Sequence, residues 1–143
     1  LLWREYFQWV ALKHGKNLFM PLGLRPDKPV TKGFNQKAFE RWKNGTTPDE
    51  FVNSNMKELA ETGFMSNRGR QNVASYLIHD MGIEWRAGAA HFENHLIDYD
   101  PASNYGNWLY LAGRGNDPRP FRKFDTIFQA NRYDPDKKFI STW

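Results

Sequence analysis

Apolar residues along this chain recur at helical spacing, with no stretch of strict alternation. The clearest case is "TTPDEFVNSNMKELAETG", residues 46–63, where Phe51, Val52, Asn55, Met56 and Leu59 fall on one face of a helix. Its start signal is unusually full. Thr47 is expected as N-cap, Pro48 at the first helical position, Asp49 in the first turn and Glu50 closing a capping box, with Gly63 as the stop. The first 14 residues, "LLWREYFQWVALKH", are apolar almost all round and predict a helix buried on most sides, ended by Gly15. Residues 16–36 are broken by prolines and glycines and read as an irregular connection. "KAFERWKNG" is a short helix closed by Gly45. The stretch "TGFMSNRGRQNVASYL" opens another, capped by Ser66 or Asn67, with Val73, Ala74, Leu77, Ile78 and Met81 inward and Gly82 at its end. "EWRAGAAHFENHLID" is helical to about Ile97, "DYDPAS" reads as a turn, and "NYGNWLYLAG" as a short helix ending at Gly113. The remaining tail reads mostly as loop. The pattern predicts an all-α fold, one helical domain over 1–143, without internal repeats.

Composition narrows the classes. With 143 residues the chain suits a single domain with a real core, and at 40% hydrophobic it is neither disordered nor membranous. Its longest apolar runs are a few residues, far short of the ~20 needed to cross a bilayer, so a soluble protein without a membrane partner is expected. The net charge of +4 and pI near 9.4 favour anionic partners, nucleic acid first. The absence of cysteine removes disulfides, thiolate zinc sites and thiol nucleophiles, and leaves the compartment open. The chain opens at Leu1 inside a helix already under way and stops abruptly at "FISTW", the expectation for a piece of a longer protein.

Three groups of residues carry candidate chemistry. His91 and His95 are four apart, as in helical two-histidine zinc sites, but Glu93 is at the wrong offset and no third ligand is evident; a solvated helix face is expected, and no metal. Asp98, Asp100 and Asn104 resemble a calcium loop until Ala102 and Ser103, which stand where an oxygen ligand and a turn glycine belong. The third group is denser. Asn67, Arg68, Arg70 and Gln71 crowd a helix N-terminus, where backbone amides already attract anions and an arginine is opposed by the helix dipole. Something must compensate that arginine, and Asp98 or Asp100 at the start of another helix is available. A carboxylate–arginine pair between helices, beside aromatics, would wall a polar aromatic ligand such as a nucleotide.

"LLWREYF", "TGFMSNRGRQNVASYL", "DMGIEWRAGA", "FENHLIDYDPASNYGNWLYLAGRGNDPR" and "YDP" together resemble the C-terminal FAD-binding helical domain of the DNA photolyase/cryptochrome family, closest to its cryptochrome DASH branch. The resemblance covers nearly the whole chain and runs ungapped from about Phe39 to Arg119. It implies a flavin folded in a U, with Arg70 and Asp98 paired beside the isoalloxazine ring, Asp100 at its pyrimidine edge, Asn104 near N5, and Asn67 between cofactor and substrate. It also implies that Trp3, Arg68, Gln71 and Tyr110 line a lesion pocket. Tyr110 and Gln71 are the DASH-like choices, associated with single-stranded DNA. An aromatic at position 3 suits stacking on a flipped-out pyrimidine pair. Trp108 and Trp85 match the two inner members of the family's tryptophan chain, which carries electrons to photoexcited oxidised flavin; ordinary core packing accounts for both equally.

The departures are specific. Lys32 stands where the outer tryptophan of that chain is expected, with Phe34 nearby, and Asn53 and Pro48 replace a usual Asp and Gly. The α/β antenna domain, the Ser/Thr/Arg segment that holds the FAD diphosphate and a Glu expected just before Leu1 have no counterpart in these residues, which therefore contain half a flavin pocket. The resemblance implies light-driven repair of cyclobutane pyrimidine dimers in DNA. Its alternatives are a non-repairing cryptochrome photoreceptor and a helical nucleic-acid-binding domain without activity.

Overall fold

A computed structural model describes residues 2–27, 33–117 and 122–143. Eight α-helices are present among them, with no strand: α1 Leu2–His14, α2 Gln36–Lys43, α3 Glu50–Thr62, α4 Asn67–Ser75, α5 Trp85–His95, α6 Pro101–Leu111, α7 Thr126–Tyr133 and α8 Lys138–Thr142. None is long and apolar enough to cross a membrane. The helical class expected from periodicity is the class observed.

Two helices organise the packing. α3 lies against α2, α4, α7 and α8, while α6 lies against α1, α4 and α5. All five residues expected on the inner face of α3 are buried. Asn55 belongs there because its Nδ2 donates to the Phe51 carbonyl at 2.7 Å, which satisfies it without water. Between α3 and α6, a single core joins Trp42, Met56, Leu59, Val73, Leu77, Phe92 and Trp108.

Several local expectations are corrected. α3 is capped by Asp49, whose Oδ1 accepts from Val52 N at 2.9 Å; Thr47 stands outside the helix, where its hydroxyl accepts from Asp49 N at 3.1 Å. Asp49 competes better because its carboxylate carries the charge that the helix N-terminus attracts. The segment read as a turn at "DYDPAS" is the start of α6, with Asp100 as N-cap and Pro101 at N1. α5 stops at His95, two residues early, where Leu96 turns extended at ψ 123°. The helix capped by Ser66 widens into a π turn over Tyr76–Asp80 before Gly82. The connection after α1 opens with a 3-10 turn over Gly15–Phe19. The tail forms α7 and α8, capped by the carboxylates of Asp125 and Asp134.

The largest correction concerns α1. Only Phe7 and Val10 are buried, and Leu2, Trp9 and Leu12 face outward. The helix meets the rest of the fold along one narrow line, where Phe7 lies over Gly106. A Cβ added at Gly106 would stand 2.2 Å from Phe7 Cδ1, so only glycine permits this approach.

Candidate functional site

The donor cluster singled out in the sequence sits where α4 begins, with Ser66 Oγ accepting from Gly69 N at 3.0 Å. Arg70 escapes the unfavourable dipole by reaching across to the loop before α6. Its Nη2 donates to both carboxylate oxygens of Asp98, at 2.9 and 3.0 Å, and its Nε donates to the Met65 carbonyl at 2.8 Å. The pair is therefore real, and Asp98 is the partner. It is not deeply buried: the Arg70 side chain is 25% exposed and that of Asp98 56%.

Asp100 has different work. Its Oδ1 accepts from Ser103 N at 2.8 Å and caps α6. Burial pushes its carboxyl up, but bonds from the Ser103 side chain and backbone, with the charge of Arg4, outweigh this and leave its pKa below the ordinary value. Asp100 therefore stays ionised at neutral pH. Asn104, one turn on, donates from Nδ2 to the Ala89 carbonyl at 3.0 Å, tying α6 to α5.

These residues surround an open cleft of about 570 Å³ between α1, α4 and α6. Asn67, Arg70, Gln71, Asp98 and Asp100 form its polar walls, and Trp3 and Tyr110 its aromatic ones. A narrow slot of about 70 Å³ continues behind the same polar residues and ends on Asn104 and Trp108. Cofactor pockets commonly enclose ~300–1,000 Å³, so the cleft has room for a planar ligand. Of the residues expected here, Arg68 alone lines neither space. Its Nη1 donates to Gln71 Oε1 at 3.1 Å, and its guanidinium lies 5.2 Å from the Tyr133 ring on α7.

Trp108 and Trp85 are both buried. Trp108 packs edge-on to Phe92 and Trp42, with ring centroids 5.2 and 6.3 Å apart. Its six-membered ring also abuts Gly88, where an added Cβ would stand 2.2 Å from Cη2, one turn along α5 from Trp85. Trp85 donates from Nε1 to the Pro21 carbonyl at 3.2 Å and meets the Tyr105 ring at 6.0 Å. Lys32 lies outside the described residues.

The histidine pair departs from expectation. His91 is buried against Phe39 and Trp42, while His95 is exposed and its Nδ1 contacts the His91 carbonyl at 2.8 Å. Burial, then the charges of His95 and Lys43, lower the His91 pKa to about 4. Among the described residues no group of three or more His, Asp or Glu side chains is arranged to hold a metal.

Sequence reasoning missed Arg4, Ser103 and Asn107, which also line the cleft. For α6 the signal was present: Asp100, Ser103, Asn104, Asn107, Trp108 and Leu111 recur at helical spacing as one stripe along the slot. Reading "DYDPAS", residues 98–103, as a turn hid its start.

An arginine held by a carboxylate, side-chain amides, an ionised aspartate and two aromatic walls around such a cleft define a helical domain for a planar, polar cofactor. The FAD-binding domain of DNA photolyase matches residues 1–143, and the chain belongs to that family, whose cofactor is FAD. It is 57% identical, over its whole length, to a cryptochrome DASH of Xenopus laevis, covering 27% of that protein. A Synechocystis cryptochrome superposes with a TM-score of 0.93 at 50% identity, over 99% of this chain and 29% of that one. An archaeal photolyase from Sulfolobus tokodaii, solved with two FAD molecules, superposes at 0.92 with 35% identity, over 99% of this chain and 32% of that one. The chain thus spans about 24–32% of the length of the curated relatives named cryptochrome DASH.

Proposed function

We propose that the protein is a blue-light flavoprotein that splits cyclobutane pyrimidine dimers in DNA, with single-stranded DNA as its substrate form, and that this domain belongs to a longer photolyase/cryptochrome chain. The observation that carries this reading is the single cleft shared by Trp3 and Tyr110 with Asn67, Arg70, Asp98 and Asp100. It offers an aromatic platform and a polar cradle on facing walls. When bound and reduced, FAD supplies the light-driven electron that opens the cyclobutane ring, and it takes that electron back afterwards.

The protein's part is orientation and electrostatics. Arg70, held by Asp98, sets a fixed positive charge beside the ring system. Asp100 offers an ionised acceptor to its pyrimidine edge. Asn104 commits one of its two amide N–H groups to Ala89, and its carbonyl oxygen offers an acceptor for a ligand N–H at the end of the slot. Trp3, two-thirds exposed, is free to stack on flipped-out bases opposite Tyr110. Asn67 and Gln71 line the same cleft, Asn67 as the residue between cofactor and substrate, and Arg68, over the Tyr133 ring, adds positive charge nearby. Trp108 and Trp85 pass electrons inward to the flavin site.

The test is to mix the intact FAD-loaded, reduced protein with dimer-containing single-stranded DNA under blue light and count dimers. Loss of dimers in light but not in darkness is expected. Undiminished dimers with reduced flavin bound overturn repair; if the flavin still photoreduces, the protein is a photoreceptor.

A further inference from the structure

The relay proposed above has two routes from Trp108 to a further tryptophan, and their surroundings differ in proton chemistry. One leads to Trp42, fully buried at 6.3 Å, whose Nε1 proton is bonded to the Val73 carbonyl at 3.0 Å. An amide carbonyl is not a base that can take that proton, so an electron vacancy there stays in the core. The other leads past Gly88 to Trp85, and Trp85 meets Tyr105 edge-on, at 6.0 Å and an interplanar angle of 82°. Tyr105 donates its hydroxyl to Glu93 Oε2 at 3.0 Å, and Glu93 is exposed to water.

We propose that Tyr105 is the terminal electron donor of this relay, with Glu93 as its proton acceptor. This rests on the relay reading of Trp108 and Trp85. A neutral tyrosine gives up an electron readily only if its phenolic proton leaves with it, and a carboxylate within hydrogen-bond reach is the group that takes it. The step balances within the chain. Photoexcited oxidised flavin draws one electron through Trp108 and leaves Trp85 as a radical cation. Tyr105 passes one electron to Trp85, restoring neutral tryptophan, and its proton moves to Glu93. The products are a neutral tyrosyl radical and a protonated carboxyl group that exchanges with solvent.

Two further observations fit. The family resemblance puts Lys32 where the outer tryptophan is expected, and an ammonium side chain cannot be oxidised in its place. The Tyr105 phenol is pushed up to about 12, by burial first and then by the bond to and charge of Glu93, so it keeps its proton until it is oxidised.

The experiment uses the intact FAD-loaded protein, flashed with blue light and followed by transient absorption and electron paramagnetic resonance. A tyrosyl spectrum should replace that of oxidised tryptophan, and Tyr105→Phe should remove it and prolong the tryptophan radical. Glu93→Gln keeps the acceptor oxygen but not the base, and should slow tyrosyl formation about 100-fold, the low end of a positioned base's contribution. In FAD-free protein the Tyr105 phenol, isolated as the difference between the ultraviolet titrations of the parent and Tyr105→Phe, should titrate near 12, and Glu93→Gln should lower it. Tyrosyl formation unchanged in Tyr105→Phe, or a Glu93→Gln variant as fast as the parent, overturns the inference. Trp108→Phe separates it from the reading beneath: photoreduction that survives Trp108→Phe removes the relay itself, whereas photoreduction lost there but indifferent to Tyr105→Phe removes Tyr105 alone.

Discussion

On α1, Trp3 and Trp9 are 67% and 64% exposed, whereas Trp85 and Trp108 on α5 and α6 are each 2% exposed. All four lie in apolar helical stretches that look alike as sequence. They differ in what stands opposite. α6 is covered by α1, α4 and α5, so its aromatic side chains have neighbours on most sides. α1 has one covered line, through Phe7 and Val10 with Ala11 beside it, and Leu2, Trp3, Trp9 and Leu12 stay mostly exposed among the described residues. The contrast separates two uses of tryptophan. An enclosed ring such as Trp108 is held in one orientation against Phe92 and Gly88, as the proposed electron relay requires. An open ring such as Trp3, supported only by Tyr6 and Phe7 at 5.5 and 6.0 Å, keeps a surface to offer a ligand.

Substitution at the two sites should break the symmetry of composition most sharply. Trp108→Ala should cost about 3–5 kcal/mol, the range for emptying an enclosed aromatic site. Trp3→Ala, an exposed position, should stay within about 0.5 kcal/mol. Chemical denaturation midpoints of both variants decide the matter, and equal losses would mean that α1 is not open in solution.

The next effect is that of pH on the enclosed region. His91, held near 4 when folded, must be neutral in the core, while the unfolded chain protonates it around 6.5. Its contribution is fully present above that value. As pH falls from about 6.5 to 4 the unfolded state gains a proton that the folded state refuses, and up to about 3 kcal/mol is lost. Denaturation at pH 7 and at the acid end should show a slope that His91→Phe flattens; no slope change would place the histidine in solvent.

Where the two regions touch, Gly106→Ala should push Phe7 off α6 and cost about 1–3 kcal/mol, as overpacking does. A gain in melting temperature would show instead that α1 shifts freely. The smallest effect is expected at the mouth of the cleft. Asp98 is more than half exposed, so Asp98→Asn should cost only ~0–1 kcal/mol in FAD-free protein. The cost should rise once FAD covers the pair, as read from denaturant midpoints with and without the cofactor. An equally small change in both would remove Asp98 from the site.

Much of the molecule was legible beforehand, for reasons visible in particular residues. The buried face of α3 and the Arg70–Asp98 pair were both readable, the first from spacing and the second from an arginine that the helix dipole could not accommodate alone. α7 and α8 were not, because both are short, neither fully buries a residue, and the Pro, Asp and Gly around them read as loop. The start of α6 was written in the Asp100–Pro101 pair, a cap followed by the residue best suited to N1. It was misread because aspartate and proline also make turns.

By itself, the sequence determined helical class, the glycine stops and the family, since each depends on residues near one another or on motifs preserved whole. Only the tertiary structure decided which tryptophans are enclosed and that Tyr105 meets both Trp85 and Glu93. Those facts depend on which helix lies across which, and burial belongs to the pair of surfaces in contact rather than to either stretch of chain.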